Sequence, residues 1–202
     1  MKKPLLTFLA ILTLSVSALS QDMDNQDKDY IKSPALGIHF FFNDFKSASV
    51  IRSSSLSSAL VNKSLGKIKD MIPGLGISYM QGISKNFDFS ASLGGSFLNY
   101  VVDERGSLGN ESLLLEGDAS INAKMFSDRY WLVPYLSAGI GLSKYKGYYG
   151  AFLPLGAGLQ INFFDDAFFI INTQYRVKVT DNTSYHFFAS IGIAGSIGSK
   201  KN

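Results

Sequence analysis

The chain reads as an all-β protein, an eight-stranded antiparallel up-and-down transmembrane β-barrel, on three observations. Apolar residues alternate with small or polar ones through about eight runs, most of the charge sits in the turns between the runs, and aromatic residues gather beside those turns. A segment of roughly ten residues that turns apolar side chains one way and small or polar ones the other is the form of a membrane-crossing strand.

Residues 1–20 precede the barrel. Lys2 and Lys3 stand before an apolar run from Leu5 to Leu14, and Ala18 and Ser20 take small-residue positions ahead of Gln21. This is the pattern of a cleavable secretory signal, and the apolar run is shorter than the roughly 20 residues of a spanning helix. The formal net charge is +3. Two of the positive charges leave with the signal, so the mature chain is near neutral and nothing favours a nucleic-acid partner. The chain has no cysteine, which excludes a disulfide framework, a thiolate metal site and a lipid-modified cysteine. A length of 202 residues suits one domain.

Residues 21–33, acidic from Asp22 to Asp29 apart from Lys28, are expected to be a disordered periplasmic lead-in. The barrel is expected over 34–198, with a tail at 199–202. The first strand runs from about Ala35 to Asn43, with Leu36, Ile38, Phe40 and Phe42 outward and Gly37, His39, Phe41 and Asn43 inward. The second covers about Gly74 to Gly82. In the third, Phe87, Phe89, Ala91, Leu93 and Phe97 alternate with Asp88, Ser90, Ser92, Gly94 and Ser96.

The fourth strand, about Ser112 to Phe126, sets Leu113, Leu115, Ala119 and Ile121 against Glu116, Asp118, Ser120, Asn122 and Lys124. The fifth runs from Tyr130 to about Ser143 and the sixth from about Ala151 to Phe164. The seventh places Phe169, Ile171, Thr173, Tyr175 and Val177 opposite Asn172, Gln174, Arg176 and Lys178. In the eighth, Ser184 to Gly198, Tyr185, Phe187 and Ile191 oppose His186, Phe188 and Ser190.

Connections at 83–86, 127–129 and 165–166 read as short, and those at 44–72, 103–111, 144–150 and 179–183 as long. Outer-membrane barrels keep short turns in the periplasm and long loops outside, which puts both termini in the periplasm. Pro134 and Pro154 argue against a closed barrel, because proline lacks a ladder donor; they are expected at local bulges.

A soluble eight-stranded lipocalin shares this alternation. Composition separates the two, since charged residues make up only 17% of the chain, too few for a water-facing exterior. Phe87, Phe89, Tyr130, Trp131, Phe163, Phe164, Phe168 and Phe169 beside the short turns are expected to form a lower aromatic girdle. Tyr100, Tyr145, Tyr148, Tyr149 and Tyr185 are expected to form an upper one.

With these strands in place, the chain resembles the small eight-stranded outer-membrane barrel family, the OmpA transmembrane-domain and OmpX-like proteins. The Gln21 start and the glycine-rich pair Gly74-Leu75-Gly76-Ile77-Ser78-Tyr79 and Pro154-Leu155-Gly156-Ala157-Gly158-Leu159 look like Bacteroidetes-type members. The likeness spans about 34–198 and is architectural. It implies outer-membrane lipid, lipopolysaccharide and the barrel assembly machinery as partners. Two departures stand out: the chain runs on through Ser199-Lys200-Lys201-Asn202 where such barrels end on an aromatic residue, and a peptidoglycan-binding domain after the barrel is not expected.

Chemistry is sparse. Glu116, Asp118, Lys124, Arg176 and Lys178 form the inward ionic set, with Asp88, Asn122, Gln160, Asn162, Asn172 and Gln174 on the same faces. Unlike charges in so narrow a lumen should pair, which makes the set a structural plug; the resemblance to OmpA adds a gate as the sharper reading. His39 and His186 fall inward on adjacent strands, but two histidines without a placed carboxylate are weak evidence for a metal. An outer-membrane lipid deacylase needs a Ser–His–acid set, and Ser184 and Ser190 near His186 come without an evident acid. No catalytic, cofactor or metal residues are therefore assigned.

The loop 44–72 combines Leu56, Leu60, Leu65, Ile68 and Ile72 at near-helical spacing with basic Arg52, Lys63, Lys67 and Lys69. It reads either as an amphipathic basic helix against lipopolysaccharide phosphates or as an extended loop. The leading expectation is a non-enzymatic outer-membrane barrel with a structural, adhesion or surface role and a mostly filled lumen. A narrow porin comes second and a lipid-modifying enzyme third.

Overall fold

A computed structural model describes residues 31–54, 57, 61, 65–98, 112–163 and 167–197. The strands are β1 (Ala35–Asp44), β2 (Ile72–Gly82), β3 (Phe87–Phe97), β4 (Leu113–Lys124), β5 (Leu132–Tyr145), β6 (Tyr148–Phe163), β7 (Ala167–Lys178) and β8 (His186–Ser196), and the helix α1 (Phe45–Ser53) follows β1. Each strand pairs antiparallel with the next and β8 pairs with β1, so the sheet closes on itself. Closure removes every free edge.

The alternation resolves into two unlike faces. Leu36, Ile38, Leu75, Ile77, Leu93, Leu136, Ile140 and Leu155 lie exposed on the outside, whereas Asn43, Ser96, Glu116, Asn122, Lys124, Gln160 and Arg176 are buried within. Polar groups inside and large apolar groups outside reverse the order of a water-soluble globule, and suit a barrel whose surroundings are hydrocarbon. A lipocalin-like exterior is excluded on the same ground.

Glycine lets large rings lie flat against the inner wall. Tyr135 faces Gly158 and Phe152 faces Gly141 across the β5–β6 ladder, and a Cβ on either glycine would run into its partner's ring.

Several expectations are corrected. The connection at 144–150 is no long loop: β5 continues to Tyr145, β6 starts at Tyr148, and Lys146 and Gly147 alone make the turn. Both have positive φ, 48° and 81°, as a type I′ hairpin requires. The turn expected at 127–129 is wider, spanning 125–131. Connection length therefore does not alternate cleanly between the two ends.

The prolines make no bulges. The β5–β6 register is the same on both sides of Pro154, from Ala138 opposite Leu155 to Gly141 opposite Phe152, and only the intervening rungs are lost. At Pro134 the carbonyl still accepts from Met125 N–H at 2.9 Å. One missing donor costs a rung without inserting a residue. Pro154 lies well inside β6.

Phe168 does not join the lower girdle. It points inward and packs with Ala35, Met80 and Ala194, while Phe87, Trp131 and Phe163 remain exposed outside. Phe164, Tyr100 and the tail at 199–202 lie outside the described residues.

A helix opens the loop, and Ser57 and Val61 further along it are helical as well. The Asp44 carboxylate caps α1 by accepting from Ser47 N–H at 2.8 Å. Phe45 and Ala48 are buried, Phe45 packing with Leu98 and Leu114 over one mouth of the barrel. Ile68–Asp70 form a 3-10 turn, and Leu56, Leu60 and Lys63 lie outside the described residues.

Candidate functional site

The barrel interior holds two separate ion-pair clusters with a cavity between them. The upper one lies beneath α1. From β7, the Arg176 guanidinium donates to Glu116 Oε2 at 2.8 Å and to Asp118 Oδ1 at 3.2 Å on β4, and through Nε to Gln174 at 3.2 Å. One planar fork thus satisfies three acceptors. Its flanks are covered by aromatic faces, Phe188 with its ring centre 3.9 Å away and Phe152 at 4.9 Å.

Glu116 has two further polar neighbours. Asn43 on β1 donates to Oε2 at 3.1 Å, and His186 Nε2 stands 3.3 Å from Oε1. Asp118 accepts from Ser92 at 2.5 Å and Ser120 at 3.3 Å. Phe45 of α1 stacks on the His186 imidazole with centroids 4.5 Å apart, which joins the helix to the cluster below it.

The lower cluster fills the opposite mouth, where the chain enters β1. Lys124 pairs with Asp88 at 2.7 Å and Asp128 at 2.5 Å. Lys32 pairs with Asp88 at 2.5 Å and Asp128 at 3.6 Å. Gln160 accepts from Lys32 at 2.5 Å and donates to Asp128 at 2.8 Å. All four charged side chains are at most 2% exposed. Two cations against two anions leave the mouth electrically neutral, as burial demands.

Between the clusters lies a cavity of about 60 Å³ with a mixed lining, polar at His39, Asn122, Asn172 and Ser190 and apolar at Met80, Ile170 and Phe188. That is room for a few waters.

The five inward ionic residues named from sequence thus divide. Glu116, Asp118 and Arg176 meet in the upper cluster, and Lys124 belongs to the lower one. Lys178 joins neither; it sits at the rim, 34% exposed, 3.4 Å from Asp181. Of the loop cations, Arg52 lies over the Tyr185 ring at 3.7 Å, and Lys67 and Lys69 are exposed.

His39 and His186 do not come together. His39 is opposite Gly192 in the β1–β8 register, six residues along β8 from His186. An acid does stand beside His186, namely Glu116, contrary to the sequence reading. The other ring nitrogen, however, lies 2.9 Å from the Ser184 carbonyl, where an acyl-transfer triad needs a hydroxyl.

Lys32 and Asp128 escaped the sequence reading as lumen residues, one assigned to the lead-in and the other to a turn. Asp128 continues the inward parity of β4, which was the available signal. Lys32 has outward parity relative to β1, yet its side chain is buried in the mouth beside Asp88.

No family model matches the chain, and no curated protein is similar to it in sequence. Solved structures are similar in fold. Neisserial surface protein A matches at 15% identity and a TM-score of 0.54, over 83% of this chain and 99% of its own. The chain has the fold of the small eight-stranded outer-membrane barrels. Two further similar structures are the N-terminal β-barrel domain of Pseudomonas aeruginosa OprF (14% identity, TM-score 0.49, 80% of this chain and 96% of that one) and the attachment invasion locus protein Ail of Yersinia pestis (12%, 0.48, 81% and 97%). At such identities the likeness is one of fold.

Proposed function

We propose that this chain is a non-enzymatic integral protein of the bacterial outer membrane, a closed barrel that carries surface segments for a structural or adhesion role and does not conduct freely. The observation that carries this reading is the reversal of polarity: exposed Leu36, Ile38, Leu75 and Ile140 outside, and neutralised ion pairs inside. A belt of this kind is stable only in lipid or detergent.

On this reading residues 1–20 are the export signal, both barrel ends near Ala35 and Ser196 face the periplasm, and α1 faces outward. Outer-membrane lipid and lipopolysaccharide surround the belt, with Arg52, Lys67 and Lys69 at the phosphate level, and the barrel assembly machinery inserts it. The test is electrophoretic. The mature chain should need detergent for extraction and should run faster unheated than boiled in SDS gels. A monomer soluble without detergent would refute the proposal.

A narrow porin is the second reading, favoured by the cavity between the clusters. Planar bilayers decide between them: the closed barrel gives rare or no steps, the porin stable ones.

A further inference from the structure

The lower cluster contains one charge that the barrel wall does not supply. Asp88, Lys124 and Gln160 project from β3, β4 and β6, and Asp128 from the turn after β4. Lys32 comes from the segment before β1, anchored through Gly82 N–H donating to Lys32 O at 3.0 Å and Ile197 N–H donating to Pro34 O at 2.8 Å. Its ammonium nonetheless reaches two carboxylates and a carboxamide and lies 5.1 Å from the centre of the Phe168 ring. Its side chain is fully buried.

We infer that Ile31–Pro34 is a strap whose Lys32 corks the mouth of the barrel at the strand-entry end, and that withdrawing it opens the lumen cavity to small cations from that side. The inference rests on the closed-lumen reading above. Charge balance supplies the selectivity. With Lys32 in place, two ammonium groups face two carboxylates. Without it, Lys124 alone faces Asp88 and Asp128, and the cluster carries a net negative charge in a low-dielectric wall, a setting that concentrates cations and repels anions. Geometry supplies the reversibility. Lys124 is fixed by the β4 ladder, where its neighbours pair on both sides, whereas Lys32 lies outside the strands, and withdrawing the strap breaks the two backbone bonds to Gly82 and Ile197 but no pairing between strands. Removing it vacates the place between Asp88, Gln160 and Phe168, at the end of the lumen from which the cavity lined by Met80, Asn122 and Tyr135 would be reached.

The test exploits the absence of native cysteine. Ser190→Cys places one thiol on the cavity wall of the full chain, refolded in detergent. Its rate of modification by a small cationic methanethiosulfonate is compared with that by an anionic one of similar size. With Lys32 present both should be slow. With Lys32→Ala the cationic reagent should accelerate on the order of tenfold or more and the anionic one much less, and Lys32→Arg should restore slow modification. Equal, slow rates in a Lys32→Ala barrel that still shows heat-modifiable mobility would overturn the strap. Lys32→Met keeps the stem against Phe168 and repeats the test should the alanine variant not fold. Loss of the folded band in both would also overturn it, since a strap must be dispensable to the wall. A wild-type chain that proves soluble without detergent would instead sink the membrane reading and leave the strap to be judged by these rates.

Discussion

Arg176 on β7 reaches Glu116 on β4 across the lumen, 2.8 Å from nitrogen to oxygen, with both side chains almost fully buried. The pair spans two strands that are not neighbours in the sheet, so it ties opposite parts of the wall together. Arg176→Ala would leave Glu116 and Asp118 without their shared cation, and should cost about 3–5 kcal/mol in stability. Tyr175→Phe, on the outer face next door, should change it by less than about 0.5 kcal/mol. Urea unfolding of the refolded barrel in lipid vesicles measures both.

The lower cluster should behave as one unit. Lys124→Ala and Asp88→Ala each strand an opposite charge, and the double variant strands fewer, so the double-mutant cycle should show a coupling of about 1–3 kcal/mol. Additive effects would mean that the two side chains are solvated separately.

The inner wall gives a steric prediction. Gly158→Ala and Gly141→Ala each push a methyl group into the ring of Tyr135 or Phe152, and should destabilise by about 1–3 kcal/mol. Gly117, on the outer face, meets only ordinary contacts at 3.4 and 3.6 Å. Its change to Ala should be neutral or slightly stabilising by the same unfolding assay.

These sites show what the sequence could and could not convey. Period-two alternation located all eight strands because each side chain must face either lipid or lumen, and Glu116, Asp118 and Arg176 share the inward parity. Pairing partners depend on strand register, which parity leaves open, so Lys124 could not be separated from Arg176 in advance. Lys32 lies beyond Pro34, where the alternation stops carrying information. The Lys146-Gly147 turn was hidden because Lys-Gly is not among the strong hairpin dipeptides, although glycine at its second position was the clue.

That turn is itself testable. Gly147→Val places a β-branched residue at φ 81° and should cost about 1–2 kcal/mol, whereas Lys146→Asn should be tolerated or stabilising. Equal effects on thermal unfolding would argue against the type I′ geometry.

The measurement that bears most directly on the inside-out barrel is a nitroxide scan along β7, one cysteine at a time from Ile171 to Val177, in lipid vesicles. Labels at 171, 173, 175 and 177 should collide freely with lipid-dissolved oxygen, and those at 172, 174 and 176 should be shielded from both oxygen and a water-soluble nickel chelate, giving a strict period of two. The opposite phase, with position 176 facing lipid and 175 facing the lumen, or chelate access along the whole strand, would contradict the register and the closed interior together.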